Sequence, residues 1–125
     1  MTLGVHHLAV VVRDLAAAEH FYSGLLGLPV QKRWNDPQGH PRSLWVELGQ
    51  GAFLAIERAA AETPVRTDET PGFHCLAFTI APAEREPYRA RLTAAGFPVE
   101  RETAYTLYVR DPDHNLVAFS HYPIP

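Results

Sequence analysis

Apolar residues in this chain fall into short alternating runs and two helical runs, and the order of runs occurs twice. The first run, 5–12, is rich in β-branched residues and reads as a buried strand. Alternation puts His7, Ala9 and Val11 on one face and Leu8, Val10 and Val12 on the other. Asp14 is a good N-cap, and apolar residues at Leu15, Ala18, Phe21, Tyr22, Leu25 and Leu26 predict a helix over 14–26. Gly27 suits the position just past its end. A strand over 29–34 follows, then a turn-rich loop at 35–41. Strands at 44–48 and 52–57, joined by Gly49-Gln50-Gly51, read as a hairpin.

Residues 58–71 are polar and aperiodic and read as a linker. The second half then repeats the order. A strand is expected at 73–80, a helix at 82–95, strands at 97–101 and 106–110, a turn at 111–115 and a last strand at 116–121. Pro82 suits a first helical turn, whereas Pro87 implies a kink or a helix that begins near Glu86. The tetrapeptides Gly27-Leu28-Pro29-Val30 and Gly96-Phe97-Pro98-Val99 stand 20 and 22 residues after His7 and His74. Aligning the copies on these histidines puts Cys75, Ala77 and Thr79 against the second helix, with Cys75 a small buried hydrophobe, and turns both imidazoles toward a shared cavity. The expected fold is α+β: a single domain over 1–125 of two βαβββ modules, about 4–57 and 72–121, curving around that cavity.

Composition narrows the class. The chain has 125 residues, 46% hydrophobic and 20% charged, with a net charge of −3. That is ordinary for a globular domain, and without a basic cluster it argues against nucleic acid as a partner. The apolar runs are too short to span a membrane, and no signal peptide is evident. One cysteine excludes an internal disulfide and fits a reducing, cytoplasmic compartment.

The opening His7-to-Asp14-Leu15 spacing, the Gly-x-Pro-Val turns and the late Asp111-Pro112-Asp113-His114-Asn115 turn resemble the vicinal oxygen chelate superfamily. This group holds glyoxalase I, extradiol dioxygenases, fosfomycin-resistance thiol transferases and bleomycin-resistance binding proteins. The resemblance covers essentially the whole chain. It implies a glyoxalase-like fold, a homodimer and a small-molecule substrate. In metal-using relatives it also implies a divalent ion (Zn, Mn, Ni or Fe) between the modules. His7 and His74 match the first-strand ligand positions. The usual glutamate on the last strand is replaced by Ala118, and the corresponding point of the first module falls near Ala55.

Two functions from different classes follow. In one, His7, His74 and Glu57 hold an ion that chelates neighbouring substrate oxygens, in an enzyme of the lyase or dioxygenase kind. Glu57, two residues past Ala55 on the same face, completes the site or acts as general base, with Glu47 a weaker substitute. Tyr108, a cavity-facing tyrosine by the same resemblance, binds or polarises substrate. In the other, the chain is a metal-free binding protein of the bleomycin-resistance kind, and Ala55 and Ala118 make room for a ligand. Trp34, Trp45, Phe53 and Phe78 are expected either as a pocket wall or as core. His114 is expected at the surface, and His121 with Tyr122 in an exposed tail.

Overall fold

The computed structural model describes residues 2–125. The chain divides into two compact units, Met1–Pro64 and Val65–Pro125. Each is one four-stranded mixed sheet with a helix on one face. This repeated βαβββ order is the glyoxalase-like fold.

In the first unit the strands are β1 (His7–Val12), β2 (Val30–Asn35), β3 (Pro41–Glu47) and β4 (Phe53–Arg58), in the order β1-β4-β3-β2. β1 runs parallel to β4, and the other pairs are antiparallel. Asp14 accepts hydrogen bonds from the backbone N–H groups of Ala16 and Ala17 and so starts α1 (Leu15–Glu19). The helix continues as a π-helical turn, His20–Leu25, and stops at Gly27, whose φ of +77° is left-handed. Phe21, Tyr22 and Ala18 are buried there, and the core they share with the sheet includes Val12, Leu44, Val46, Leu54 and Ile56. The β3–β4 hairpin turns through Gln50 and Gly51, both at positive φ.

In the second unit the strands are β5 (Cys75–Thr79), β6 (Arg101–Glu102), β7 (Thr106–Arg110) and β8 (Leu116–Ser120), in the order β5-β8-β7-β6. A 3₁₀ turn, Pro82–Glu84, leads into α2 (Arg85–Ala94). Of the two alternatives at Pro87 the later start holds: the α-helix begins at Arg85, so Pro87 lies in its first turn, where its missing N–H has no intrahelical acceptor. Leu92, Leu107, Val109 and Val117 are buried, and Phe119 stacks between Phe78 and Tyr88 with ring centroids 5.8 and 5.1 Å apart.

That stack corrects one expectation. Tyr88 belongs to α2, so the helix covers the face carrying Phe78 and Phe119, and with them Leu76. Cys75, Ala77 and Thr79 face the other way, and Cys75 is exposed rather than a buried hydrophobe. The tail is corrected too. His121 is buried, 5% exposed, with Arg85 Nη1 3.1 Å from its Nε2 and the carbonyl of Ile124 at its Nδ1. Arginine only donates, so Nε2 accepts and Nδ1 carries the proton. Tyr122 remains exposed.

Candidate functional site

The ladder registers align the two units strand by strand. Trp45 pairs with Ala55 in the first, and Tyr108 with Ala118 in the second. Ser43 pairs with Glu57, and Thr106 with Ser120. On the parallel side His7 pairs with Phe53, and Cys75 with Leu116. The register counterpart of His7 is therefore Cys75. His74 precedes β5 and corresponds to His6. A one-residue offset moves a side chain to the opposite face of a strand, so aligning on histidine inverted the second module. The sequence held a better guide: the large apolar residues Leu76, Phe78 and Ile80 keep the phase of Leu8, Val10 and Val12.

The first sheet's face away from α1 carries a continuous series of rings. His7 stacks on Phe53 at 4.7 Å and 6°, and Phe53 stacks on Trp45 at 4.4 Å and 23°. Trp45 meets Trp34 edge-on at 5.5 Å, and the Lys32 ammonium lies 4.3 Å from the Trp34 ring centre. The row runs diagonally across four strands. Beside it Ala9 and Ala55 pair directly, a low floor between Phe53 on one side and Glu57 on the other. Next to that floor are two polar atoms that are buried without a hydrogen-bond partner, Ser43 Oγ and Trp45 Nε1. Ser43 is 3% exposed.

The matching face of the second sheet is differently finished. Thr106 Oγ1 donates to Ser120 Oγ at 2.8 Å, so the counterparts of Ser43 and Glu57 satisfy each other. The Arg101 guanidinium lies 4.3 Å from the Tyr108 ring centre and covers it. Arg110 makes a two-pronged bond to Asp68, 2.8 Å on each prong, and another to Glu100. Its hydrogen bonds hold the Asp68 carboxyl below its ordinary range and raise the guanidinium further above its own. Arg89 and then Arg85 lower Glu102, and in the first unit the Arg33 bond lowers Glu19. His74 adds a smaller favourable charge interaction at Asp68, while His7, Glu57 and Tyr108 take part in none of these ion pairs.

The proposed ligand residues divide as follows. His7 and Glu57 share a face of the first sheet, but Glu57 pairs with Val11, four residues further along β1. Four residues span about 13 Å, too far for His7 and Glu57 to hold one small ion comfortably. His7 Nδ1 instead lies 2.8 Å from Nδ1 of His6. Glu47 pairs with Phe53, beside His7 in register but one strand beyond. His74 and Tyr108 belong to the second unit, His74 ahead of its first strand. Among the described residues no three His, Cys, Asp or Glu side chains gather as an ion site. A 2-His-1-carboxylate site needs imidazole and carboxylate donors that converge. At the register-equivalent positions the first sheet offers His7 and Ala55 and the second offers Cys75 and Ala118. A thiol replaces the second imidazole and neither alanine supplies a carboxylate, so these side chains do not make a 2-His-1-carboxylate set.

Fold and strand register together define a protein of the glyoxalase type. Residues 4–119 match the Glyoxalase/Bleomycin resistance protein/Dioxygenase superfamily, and the chain belongs to it. It is 30% identical to glutathione transferase FosA from Serratia marcescens over 121 residues, 93% of this chain and 79% of that protein. The fold is similar to that of the fosfomycin resistance protein FosX from Listeria monocytogenes. There the TM-score is 0.79 at 18% identity, covering 99% of this chain and 94% of that one. A variant of that FosX has been crystallised with Mn(II) and 1S,2S-dihydroxypropylphosphonic acid. The structure of SMU.1112c gives the same TM-score, 0.79, at 26% identity over 96% of this chain and 99% of that one. No helix among the described residues is long and apolar enough to cross a membrane.

Proposed function

We propose that this chain is a small-molecule-binding member of the superfamily that holds its ligand on the ring-lined face of the first sheet and uses no divalent ion. One observation carries the reading. Of the positions where the family's ion-binding pattern calls for donors, His7 is retained, Cys75 offers a thiol in place of the second imidazole, and Ala55 and Ala118 offer no carboxylate, while the adjoining face bears an aromatic row beside an alanine floor. Small-molecule sites are largely apolar surfaces with a few placed polar groups, and this face has that make-up. The chain acts as a homodimer on this reading. Leu3 and Val5, exposed just before β1, the edge strand of the first sheet, are the residues a second copy would cover.

The second reading is a metal-dependent enzyme. It is favoured by the 30% identity to glutathione transferase FosA and by the retained His7. There His7, His74 and Glu57 would be the ligands and Tyr108 would bind substrate. Equilibrium dialysis of the native protein against Mn²⁺, Zn²⁺, Ni²⁺ and Fe²⁺ separates the two. The binding reading expects no ion retained above the chelator-treated control. One ion per chain, lost in a His7→Ala variant, would replace it with the enzyme reading.

A further inference from the structure

The first sheet also carries a statement about ligand chemistry, and it rests on the binding reading above. A buried polar group without a partner is unfavourable, because the group has lost water and gained nothing. Native proteins tolerate few of them, and each calls for a specific explanation. Here two occur on one face, two residues apart on the same strand. Ser43 Oγ and Trp45 Nε1 are both buried and unpaired, beside the Ala9–Ala55 floor and against the aromatic row. Indole Nε1–H can only donate; a serine hydroxyl can donate or accept. The group able to satisfy both is an acceptor, supplied from outside the chain.

The shape of the face narrows the ligand further. Phe53 and Trp45 stand nearly parallel, 23° apart, and His7 lies within 6° of Phe53. Such a row presents ring faces and edges to a flat body. The floor is two small side chains, Ala9 and Ala55, paired directly across β1 and β4. At the open end, the Lys32 ammonium over Trp34 supplies the positive charge of the row. Glu57 stands at the other side of the floor, paired with Ser43 in the ladder.

We infer that this face binds a planar aromatic compound bearing a ring carbonyl, with the carbonyl oxygen accepting hydrogen bonds from Trp45 Nε1 and Ser43 Oγ. The ring system stacks over the two alanines against Trp45 and Phe53. A negative substituent at the rim points toward Lys32. The second sheet has no equivalent, because Thr106 and Ser120 already satisfy each other there and Arg101 covers Tyr108.

Two probes of equal size test this: anthraquinone sulfonate and anthracene sulfonate, which differ only in the two ring carbonyls. Both tryptophans of the chain, Trp34 and Trp45, belong to this row, so quenching of intrinsic fluorescence reports the site directly. The quinone is expected to bind roughly 10-fold or more tightly than the hydrocarbon. Trp45→Phe keeps a ring but removes the donor. Ser43→Ala removes a hydroxyl that has no hydrogen-bond partner. Each is expected to weaken the quinone by roughly 5- to 10-fold; Ser43→Ala leaves the hydrocarbon unchanged, and Trp45→Phe, which also trims the stacking surface, weakens the hydrocarbon less than the quinone. Circular dichroism melts of both variants confirm that folding is kept. Equal binding of the two probes, or a quinone affinity that both variants leave intact, would overturn the ligand class while the binding reading stands. Failure of both probes to bind would overturn the binding reading and the ligand class with it.

Discussion

On the first sheet the face away from the helix bears His7, Phe53, Trp45, Lys32 and Ser43. At the same ladder positions the second sheet bears Cys75, Leu116, Tyr108, Arg101 and Thr106. The backbone pairing is the same, and the side chains have gone in different directions. The first face is aromatic and leaves two buried polar atoms unpaired. The second face is closed on itself through a hydroxyl pair, a cation over a ring and a two-pronged ion pair. A repeated module thus gives two surfaces of which one is finished internally and the other is left to be completed from outside. Satisfaction of buried polar groups, more than sequence identity between the copies, tells the two apart.

The largest expected effect comes from rebuilding the second face. Cys75→His combined with Ala118→Glu puts an imidazole and a carboxylate on one face, on adjacent strands, two residues apart in register. The new carboxylate is buried, since Ala118 is 0% exposed, so without metal the variant should melt well below the native protein. Excess Mn²⁺ should restore most of that loss, because an ion bound only by the folded state stabilises it. Native protein under the same conditions should show no shift. Thermal melts with and without Mn²⁺ check both, and an equal Mn²⁺ shift in the native protein would erase the contrast between the faces.

Next come the hydroxyls. Ser120→Ala should destabilise by about 1–2 kcal/mol, because Thr106 Oγ1 loses its acceptor and the N–H of Tyr122 loses another. Ser43→Ala should be neutral within about 0.5 kcal/mol or stabilising, since the hydroxyl it removes has no partner. Paired urea titrations measure the difference. Equal losses at the two sites would mean that Ser43 is satisfied after all.

Acid sharpens the comparison in a different way. The Arg110 bond holds the Asp68 carboxyl below its ordinary value of 3.8, and Arg89 with Arg85 holds Glu102 below 4.5. Both folded-state values are depressed, so these carboxylates contribute stability above the unfolded-chain values and lose it as pH falls through the folded ones. Melting temperature should therefore fall with pH below about 4, and Asp68→Asn should flatten part of that slope. Both carboxylates are open to solvent, so the effect is modest and shrinks in salt.

The smallest effect is expected at His114, exposed at φ +64° in the turn that Asp111 ties together through the N–H groups of Asp113 and Asn115. A left-handed conformation is unfavourable for a side-chain-bearing residue, and glycine removes that strain at some cost in chain entropy. His114→Gly should raise stability by about 0.5 kcal/mol, read by urea titration.

Much of this architecture was legible in the chain. The Asp14 cap, the Gly49-Gln50-Gly51 hairpin and the doubled strand order all came from turn chemistry and periodicity, which are local. The second module's facing differs from the histidine alignment for an equally local reason. One extra residue separates His74 from the apolar alternation compared with His7, so the phase of Leu76, Phe78 and Ile80, and not the identity of His74, sets the facing. Periodicity places His121 in the tail, whereas its burial involves Arg85, 36 residues away, a contact that periodicity does not encode. The unpaired Ser43 and Trp45 atoms were equally invisible, since an absent partner is a property of three-dimensional packing.

The central claim is that the aromatic face binds without an ion, and one titration tests it most directly. Tryptophan fluorescence of the native protein is followed during addition of anthraquinone sulfonate, first in excess EDTA and then in excess Mn²⁺. The expected result is saturable quenching with the same Kd in both. Quenching that requires Mn²⁺ and vanishes in EDTA would contradict it and would make the chain a metal-dependent member of its superfamily.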